Sequence, residues 1–345
     1  MNKQNTYDGF LETALSQIEG TNYKVEQTEV TVITGDASFR KYYRVVSNNH
    51  SYILMSSPPA LVDNQAFIEL NTVFESSGVK VPKILSFDNK CGYVLLEDLG
   101  QCHFADVFDN TQSIEIYYQA INLLPQIATT PVHTAMKPYD ASFIDLELEI
   151  FNEWLIDMFC QLEMDEGAKR TWINVKQQLI NAMLMQPTVT MHRDYHSRNL
   201  MLANSDWTVI DYQDAVQGPL TYDLVSLLKD CYLVLEPHQR ETLLNYGFET
   251  LQQAKLTQEL TYEDFKLLFT LTGIQRHLKA AGIFCRLALR DNKFGYLPHI
   301  EDTLTYVIEA CNEIKSQFSI FEYFAQWLQK TVRPNLQNKL KEVAK

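Results

Sequence analysis

Met191-His192-Arg193-Asp194-Tyr195-His196-Ser197-Arg198-Asn199, followed by Thr208-Val209-Ile210-Asp211, is the stretch from which the rest of the chain is read. Leu200-Met201-Leu202 and Thr208-Val209-Ile210 are apolar, and Ala203-Asn204-Ser205-Asp206 between them is turn chemistry. The pattern predicts a polar loop and then a two-stranded hairpin. Pairing of those strands would set Asn199 and Asp211 side by side at the open end. Two oxygen ligands are then offered to one spot, as a hard divalent ion such as Mg2+ requires. Asp194, from the loop, hangs over the same spot. Each of these residues alone is an ordinary loop former; the ordered set with a hairpin in its gap is far more specific.

The order His192, Arg193, Asp194, Asn199 and then Asp211 is H-R-D-x-x-x-x-N followed by a metal-binding Asp. That is the catalytic loop of kinases, in which a carboxylate accepts the acceptor hydroxyl and Asn and Asp hold the metal. Downstream run Tyr212-Gln213-Asp214-Ala215 and Gly218-Pro219-Leu220-Thr221-Tyr222-Asp223. A protein kinase carries a long activation segment here, ending in A-P-E, to bind a peptide. This chain returns to helical periodicity almost at once, so the expected acceptor is a small molecule held by the helical part.

Upstream, residues 7–19 place Phe10, Leu11, Ala14, Leu15 and Ile18 on one helical face, closed by Gly20. Strand patterns follow at Val25, Val30, Val32 and Ile33, at Tyr42, Tyr43, Val45 and Val46, and over Ser51-Tyr52-Ile53-Leu54-Met55. Asp63 is placed to cap a helix that runs to Ser77 and ends at Gly78. Val81-Pro82-Lys83-Ile84-Leu85 and Gly92-Tyr93-Val94-Leu95-Leu96 read as two more strands before Glu97-Asp98-Leu99-Gly100 breaks the pattern. The polar turn Thr34-Gly35-Asp36-Ala37-Ser38-Phe39-Arg40-Lys41 stands where a kinase folds a loop over the phosphates, using backbone N–H groups and a hydroxyl. With a single Gly it reads, taken alone, first as a plain hairpin turn.

Beyond about residue 101 helical periodicity holds over 113–128, 142–163, 166–185, 223–235, 239–255, 261–290 and 298–331, apart from the catalytic hairpin. The expected architecture is α+β: a bilobal protein-kinase-like fold with a small five-stranded antiparallel-sheet N-lobe and a larger, mostly helical C-lobe. The boundaries are 1–97 for the nucleotide-binding lobe, 98–101 for a hinge and 102–345 for the catalytic and substrate lobe, with ligands expected at a cleft between lobes.

Composition narrows the partners. Lys plus Arg is 29 and Asp plus Glu 43, a net charge of −14, which argues against nucleic acid, since that needs a basic footprint. An anionic nucleotide must therefore be met by local cations and metal. The six cysteines show no C-x-x-C, and reduced thiols in the cytosol fit best. Residues 1–20 resemble no export signal and no apolar run approaches membrane-spanning length, so a cytoplasmic protein is expected, with no membrane and no obligate protein partner evident.

The hinge Leu95 to Gly100, the loop from His192 to Asn199, and Ile210-Asp211 through Asp223 resemble the aminoglycoside phosphotransferase (choline-kinase-like) superfamily. Gly35 to Arg44, Asp211 to Leu228, and Gln275-Arg276-His277-Leu278-Lys279-Ala280-Ala281-Gly282-Ile283-Phe284-Cys285-Arg286-Leu287 resemble more narrowly the bacterial N-acetylmuramate/N-acetylglucosamine anomeric kinases of peptidoglycan recycling. The resemblance runs over nearly the whole chain. It implies ATP and Mg2+ as cofactors, a small sugar as substrate, Asp194 as the base, and Asn199 and Asp211 as metal ligands. It also implies an Asp at position 223 that braces the catalytic loop, although capping of its own helix is the simpler reading. His192 is expected to pack and hydrogen-bond the loop.

Nucleotide contacts are expected from Ser38, Arg40, Arg44, and backbone groups between Glu97 and Leu99; acceptor contacts from His196, Gln213, Asp214, Arg276 and Arg286. An Arg is the natural partner of a muramic carboxylate. Arg276, His277 and Arg286 are read equally well as solvated or salt-bridging residues of an acidic protein. One departure from the kinase pattern stands out: Met55 or Leu54 falls where a third-strand Lys normally holds the phosphates, leaving Arg40, Lys41 or Arg44 to do so. Two alternatives stay open, a kinase of the same superfamily for an amino alcohol, aminoglycoside or other sugar, and a non-catalytic nucleotide-binding protein.

Overall fold

The structure, a computed structural model, describes residues 6–19, 27–33, 39–108 and 114–343. Gly20, Val25 and the turn at 34–38, with Gly35 and Ser38, lie outside the described residues. The first described elements are α1 (Asp8–Glu19), β1 (Glu29–Ile33), β2 (Lys41–Ser47), β3 (His50–Ser56), α2 (Asn64–Ser76), β4 (Ile84–Asp88) and β5 (Tyr93–Glu97). Helices α3 (Phe104–Val107), α4 (Ile114–Ala128), α5 (Ala141–Ile150) and α6 (Glu166–Leu184) lead to β6 (Thr188–Met191), β7 (Leu200–Ala203), β8 (Asp206–Val209) and β9 (Val216–Pro219). Then come α7 (Tyr222–Leu228), α8 (Pro237–Gln253), α9 (Tyr262–Asp291), α10 (His299–Ile314), α11 (Ile320–Trp327) and α12 (Arg333–Val343). No described helix is long and apolar enough to cross a membrane.

The chain forms two compact units: Met1–Phe104 with Asn199–Gln213, and Ala105–Arg198 with Asp214–Lys345. The hairpin after the polar loop thus groups with the N-terminal residues, whereas a division at 98–101 leaves it with the helices. In the first unit the five strands form an antiparallel sheet in the order β1-β2-β3-β5-β4. Alternation along the strands turns Val45, Tyr52, Leu54, Tyr93 and Leu95 to one face, where Leu11, Ala14 and Leu15 of α1 cover them. Asp63 caps α2, its Oδ1 accepting the N–H of Gln65 at 3.0 Å and of Ala66 at 3.2 Å. β4 starts at Ile84 rather than Val81; Pro82 has no N–H to give a ladder, and its carbonyl takes the Asn71 amide instead. β7 and β8 pair from Leu200↔Val209 to Ala203↔Asp206. Asn204 and Ser205 both take positive φ, 51° and 68°, as the tight primed hairpin turn demands.

In the second unit β6 and β9 pair antiparallel, from Thr188↔Pro219 to Met191↔Val216, and β6 delivers the chain into the polar loop at His192. Reading everything after residue 101 as helix apart from the catalytic hairpin misses this ladder. Each strand has four residues, and Val216-Gln217-Gly218-Pro219 lacks a strand's signature. The helix expected over 223–235 stops at Leu228, and that over 298–331 divides between α10 and α11. α9 is buried on nearly every face. It packs Ile274, Leu278 and Ala281 into a core with Leu148, Phe151, Leu179, Leu304 and Val307. Where α5 passes into a π-helical run, Phe151–Phe159, α9 crosses it at Gly282. A Cβ there would stand 2.4 Å from the Ile150 carbonyl oxygen, so only Gly permits this approach.

Candidate active site

In the first unit the Asn199 carbonyl accepts the Ile210 N–H at 3.0 Å, one step beyond the β7–β8 ladder. Asn199 and Asp211 therefore leave from the same end of the hairpin. Asp211 sits at φ +64°, a left-handed conformation that costs a non-glycine residue about 1–3 kcal/mol. Its neighbour Tyr212 holds it there: the buried ring stacks on Phe67 at 5.1 Å, and the hydroxyl receives the Asn71 amide at 2.6 Å. The Gln213 amide donates to Asp211 Oδ1 at 2.7 Å. No group of three or more His, Cys, Asp or Glu suited to a metal occurs among the described residues. Asn199 and Asp211 carry hard side-chain oxygens of the kind that could hold Mg2+.

The cations expected at the nucleotide divide. Arg44 forms a bidentate pair with Asp98, at 2.6 and 3.1 Å, and also donates to the Gly100 carbonyl at 2.8 Å. Lys41 is exposed. Arg40 lies 5.7 Å from the centroid of Phe67, the ring that carries Tyr212. Desolvation pushes the Tyr42 hydroxyl up to about 12, with the charge of Asp211 adding and that of Arg40 opposing, so these three groups lie near one another. Met55 is fully buried opposite Tyr42 in the β2–β3 ladder, a core residue. The Glu97 N–H is already donated to the Lys83 carbonyl, and its carboxylate takes the Lys83 N–H; Leu99 is half-buried.

In the second unit the polar loop is pinned by two buried carboxylates. Asp223 accepts the N–H of His192 at 2.7 Å and of Arg193 at 2.9 Å. Asp230 accepts the Ser197 N–H at 2.9 Å. Asp223 lies within the first turn of α7 and does not cap it; Thr221 holds the cap position without a side-chain capping bond. His192 is fully buried, and the Tyr195 hydroxyl donates to the Ala120 carbonyl at 2.8 Å. The His196 ring meets Tyr232 edge-on at 5.4 Å. Desolvation alone would raise the pKa of Asp194, but the charges of Lys279, His196, Arg193 and Arg276 outweigh it and hold the carboxyl well below the usual range. Asp194 is therefore ionised at neutral pH and a weak base.

Arg276 is buried, and among the described residues its Nη1 has no hydrogen-bond partner. His277 is turned elsewhere: its Nε2 meets the Lys229 carbonyl at 2.8 Å, its ring stacks on Tyr306, and burial with the charges of Arg276 and Lys229 keeps it neutral, with a pKa of about 3. Arg286 follows Arg276 by about 15 Å along α9. Its charged neighbours are Arg290, Asp291 and Glu153, so α9 does not bring it to Asp194. Asp214 is exposed at the end of a 3-10 turn.

Three residues escaped the sequence reading: Lys279, Asp230 and Glu147. Lys279 was legible in principle, since a spacing of three from Arg276 puts both on one helix face. Glu147 alternates with Asp145 and Glu149 and looks like a solvated face, yet it alone is buried.

The pattern of the family described as "Phosphotransferase enzyme family" matches residues 29–256. The chain belongs to this phosphotransferase family. An N-acetylmuramate/N-acetylglucosamine kinase of Pseudomonas putida is 34% identical over 286 residues, 83% of this chain and 84% of the relative. A kinase of the same name from Neisseria meningitidis is 32% identical over 292 residues, 83% of this chain and 87% of the relative. Among solved structures, a Plasmodium vivax ethanolamine kinase superposes with a TM-score of 0.61 at 11% identity, covering 90% of this chain and 91% of that one. Choline kinase LicA of Streptococcus pneumoniae gives 0.61 at 12%, covering 88% and 100%. These two share the fold, and the α+β kinase-like architecture expected from the catalytic loop is the one this phosphotransferase has.

Proposed function

We propose that this phosphotransferase moves the γ-phosphoryl group of ATP to the anomeric hydroxyl of N-acetylmuramate and N-acetylglucosamine. The acceptor oxygen bonds to phosphorus as the bond to the β-phosphate oxygen breaks, ADP leaves with that electron pair, and the hydroxyl proton passes to Asp194. What carries the acceptor is the 34% and 32% identity, over 83% of this chain, to the two N-acetylmuramate/N-acetylglucosamine kinases, and the cationic setting of Asp194 agrees with it. A carboxylate so depressed is a poor base for an ordinary alcohol. It is well matched to an anomeric hydroxyl, which is more acidic and needs orientation more than deprotonation. The unpartnered Nη1 of Arg276 suits the lactyl carboxylate of a muramic acid. Polycationic acceptors such as aminoglycosides would meet Arg193, Lys279 and Arg276 with like charge.

The first unit is the nucleotide half in this reading. Arg40 stands in for the absent third-strand Lys, because Arg44 is held by Asp98 and Met55 is core. Adenine is received by backbone groups between Asp98 and Leu99. Asn199 and Asp211 would hold Mg2+, which would supply neutralisation of phosphate charge. All six cysteines are free thiols, which suits the reducing cytoplasm where ATP is found. The test is ADP release with Mg-ATP against N-acetylmuramate, N-acetylglucosamine, glucose, choline and kanamycin. Turnover with the two N-acetyl sugars is expected; turnover confined to choline or kanamycin would overturn the proposal.

A further inference from the structure

Glu147, on α5, is 3% exposed and accepts hydrogen bonds from four side chains. Its Oε1 takes Arg193 Nη2 at 2.7 Å and Lys279 Nζ at 2.9 Å. Its Oε2 takes Gln275 Nε2 at 3.1 Å and the Tyr139 hydroxyl, and Gln275 also donates to that hydroxyl at 3.0 Å. The close crossing at Gly282 and Ile150 is what lets α5 present Glu147, about one turn from Ile150, to Lys279 and Gln275, about one and two turns from Gly282. Burial would raise this carboxyl, but Lys279, Arg193 and the Tyr139 hydroxyl bring it down to about 2, so it is an anion at working pH.

Lys279 and Arg193 pair with Glu147 and not with Asp194, although both are close enough for Asp194 to feel their charge. We infer that Glu147 is a positioning residue for phosphoryl transfer: by binding Lys279 and Arg193 itself, it keeps two positive charges beside Asp194 without letting them close on it. The inference rests on reading Asp194 as the carboxylate that receives the acceptor hydroxyl. A buried ammonium and guanidinium that lose their anion turn to another; here the next carboxylate whose charge both feel is Asp194, whose oxygens would then be withdrawn from the acceptor.

The experiment compares Glu147→Gln, Lys279→Met, the double variant and Asp194→Asn in the full chain, by kcat and KM at saturating Mg2+. E147Q preserves shape but replaces an acceptor oxygen by a donor. It is expected to lose about 100-fold in kcat, with KM for ATP within about threefold of wild type. Adding K279M to E147Q is expected to cost nothing further, because one of the two cations that would collapse onto Asp194 is gone. Independent structural roles would instead multiply the two losses. Should E147Q fail to fold, it is introduced beside Lys279→Met and Arg193→Met together, where no cation is left for Glu147 to hold: kcat equal to that of the Lys279→Met, Arg193→Met pair supports the inference, and a further tenfold loss overturns it. E147Q with near wild-type kcat, or multiplied losses in the double variant, also overturns it. Wild-type turnover in D194N would sink the reading of Asp194 itself, a separate failure.

Discussion

The carboxylate of Asp223 receives the backbone N–H of His192 at 2.7 Å, and its second oxygen that of Arg193 at 2.9 Å. One buried side chain thereby fixes the two peptides immediately before Asp194, including Arg193 at φ +79°. Asp223→Ala removes two charge-assisted bonds worth about 1.5–3 kcal/mol each and leaves buried donors unpaired. The expected result is a lower Tm and a loss of kcat of at least about 100-fold. Unchanged kcat in the folded variant would show that the loop needs no such anchor.

Lys279 gives the largest charge effect lowering the pKa of Asp194, against desolvation, which raises it. Turnover needs Asp194 ionised, so activity is lost as pH falls through that pKa. In the wild type the loss lies below the usual carboxylate range, and kcat/KM should be flat from neutrality down to about pH 5. Lys279→Met lets burial dominate and moves the acid limb upward into the measured window. Superimposable pH profiles would contradict the assignment.

Arg276 and Arg286 lie about 15 Å apart along α9, and their substitutions are expected to differ. Arg276→Met is expected to raise KM for N-acetylmuramate about tenfold or more, the weight of one charged hydrogen bond, and to affect N-acetylglucosamine less. Arg286→Met is expected to leave both within about twofold, since its neighbours are Glu153, Arg290 and Asp291. Equal effects of the two substitutions would refute the assignment.

Gly282→Ala forces a Cβ to within 2.4 Å of the Ile150 carbonyl, an overpacking that costs about 1–3 kcal/mol. Urea unfolding should show it as a lower midpoint at unchanged m-value. Because the same crossing carries Glu147 to Lys279, kcat should fall in the folded variant too. A stable, fully active G282A would mean that the helices have slack there.

What the sequence disclosed was local. Asn204 and Ser205 between apolar triplets announce a hairpin because turn conformation is decided by neighbouring residues, and Asp63 announces its helix for the same reason. The five-stranded sheet followed from alternating Val, Tyr and Leu. The β6–β9 ladder did not: two four-residue strands, one holding Gly218 and Pro219, have no period of their own. The partners of charged residues were hidden likewise. Arg44 could be assigned to phosphate or to protein until the register of β2, β3 and β5 set it against Asp98. Glu147 gave no sign of its burial in the sequence because Lys279, its counter-ion, comes from a helix far along the chain.

The most direct test of the account is phosphorus NMR on the product formed from Mg-ATP and N-acetylmuramate, with Asp194→Asn as the control. The account predicts one new phosphate signal, coupled to the anomeric proton of the sugar and absent with D194N. A phosphate on any other sugar oxygen, or the same product from D194N at a comparable rate, would contradict it.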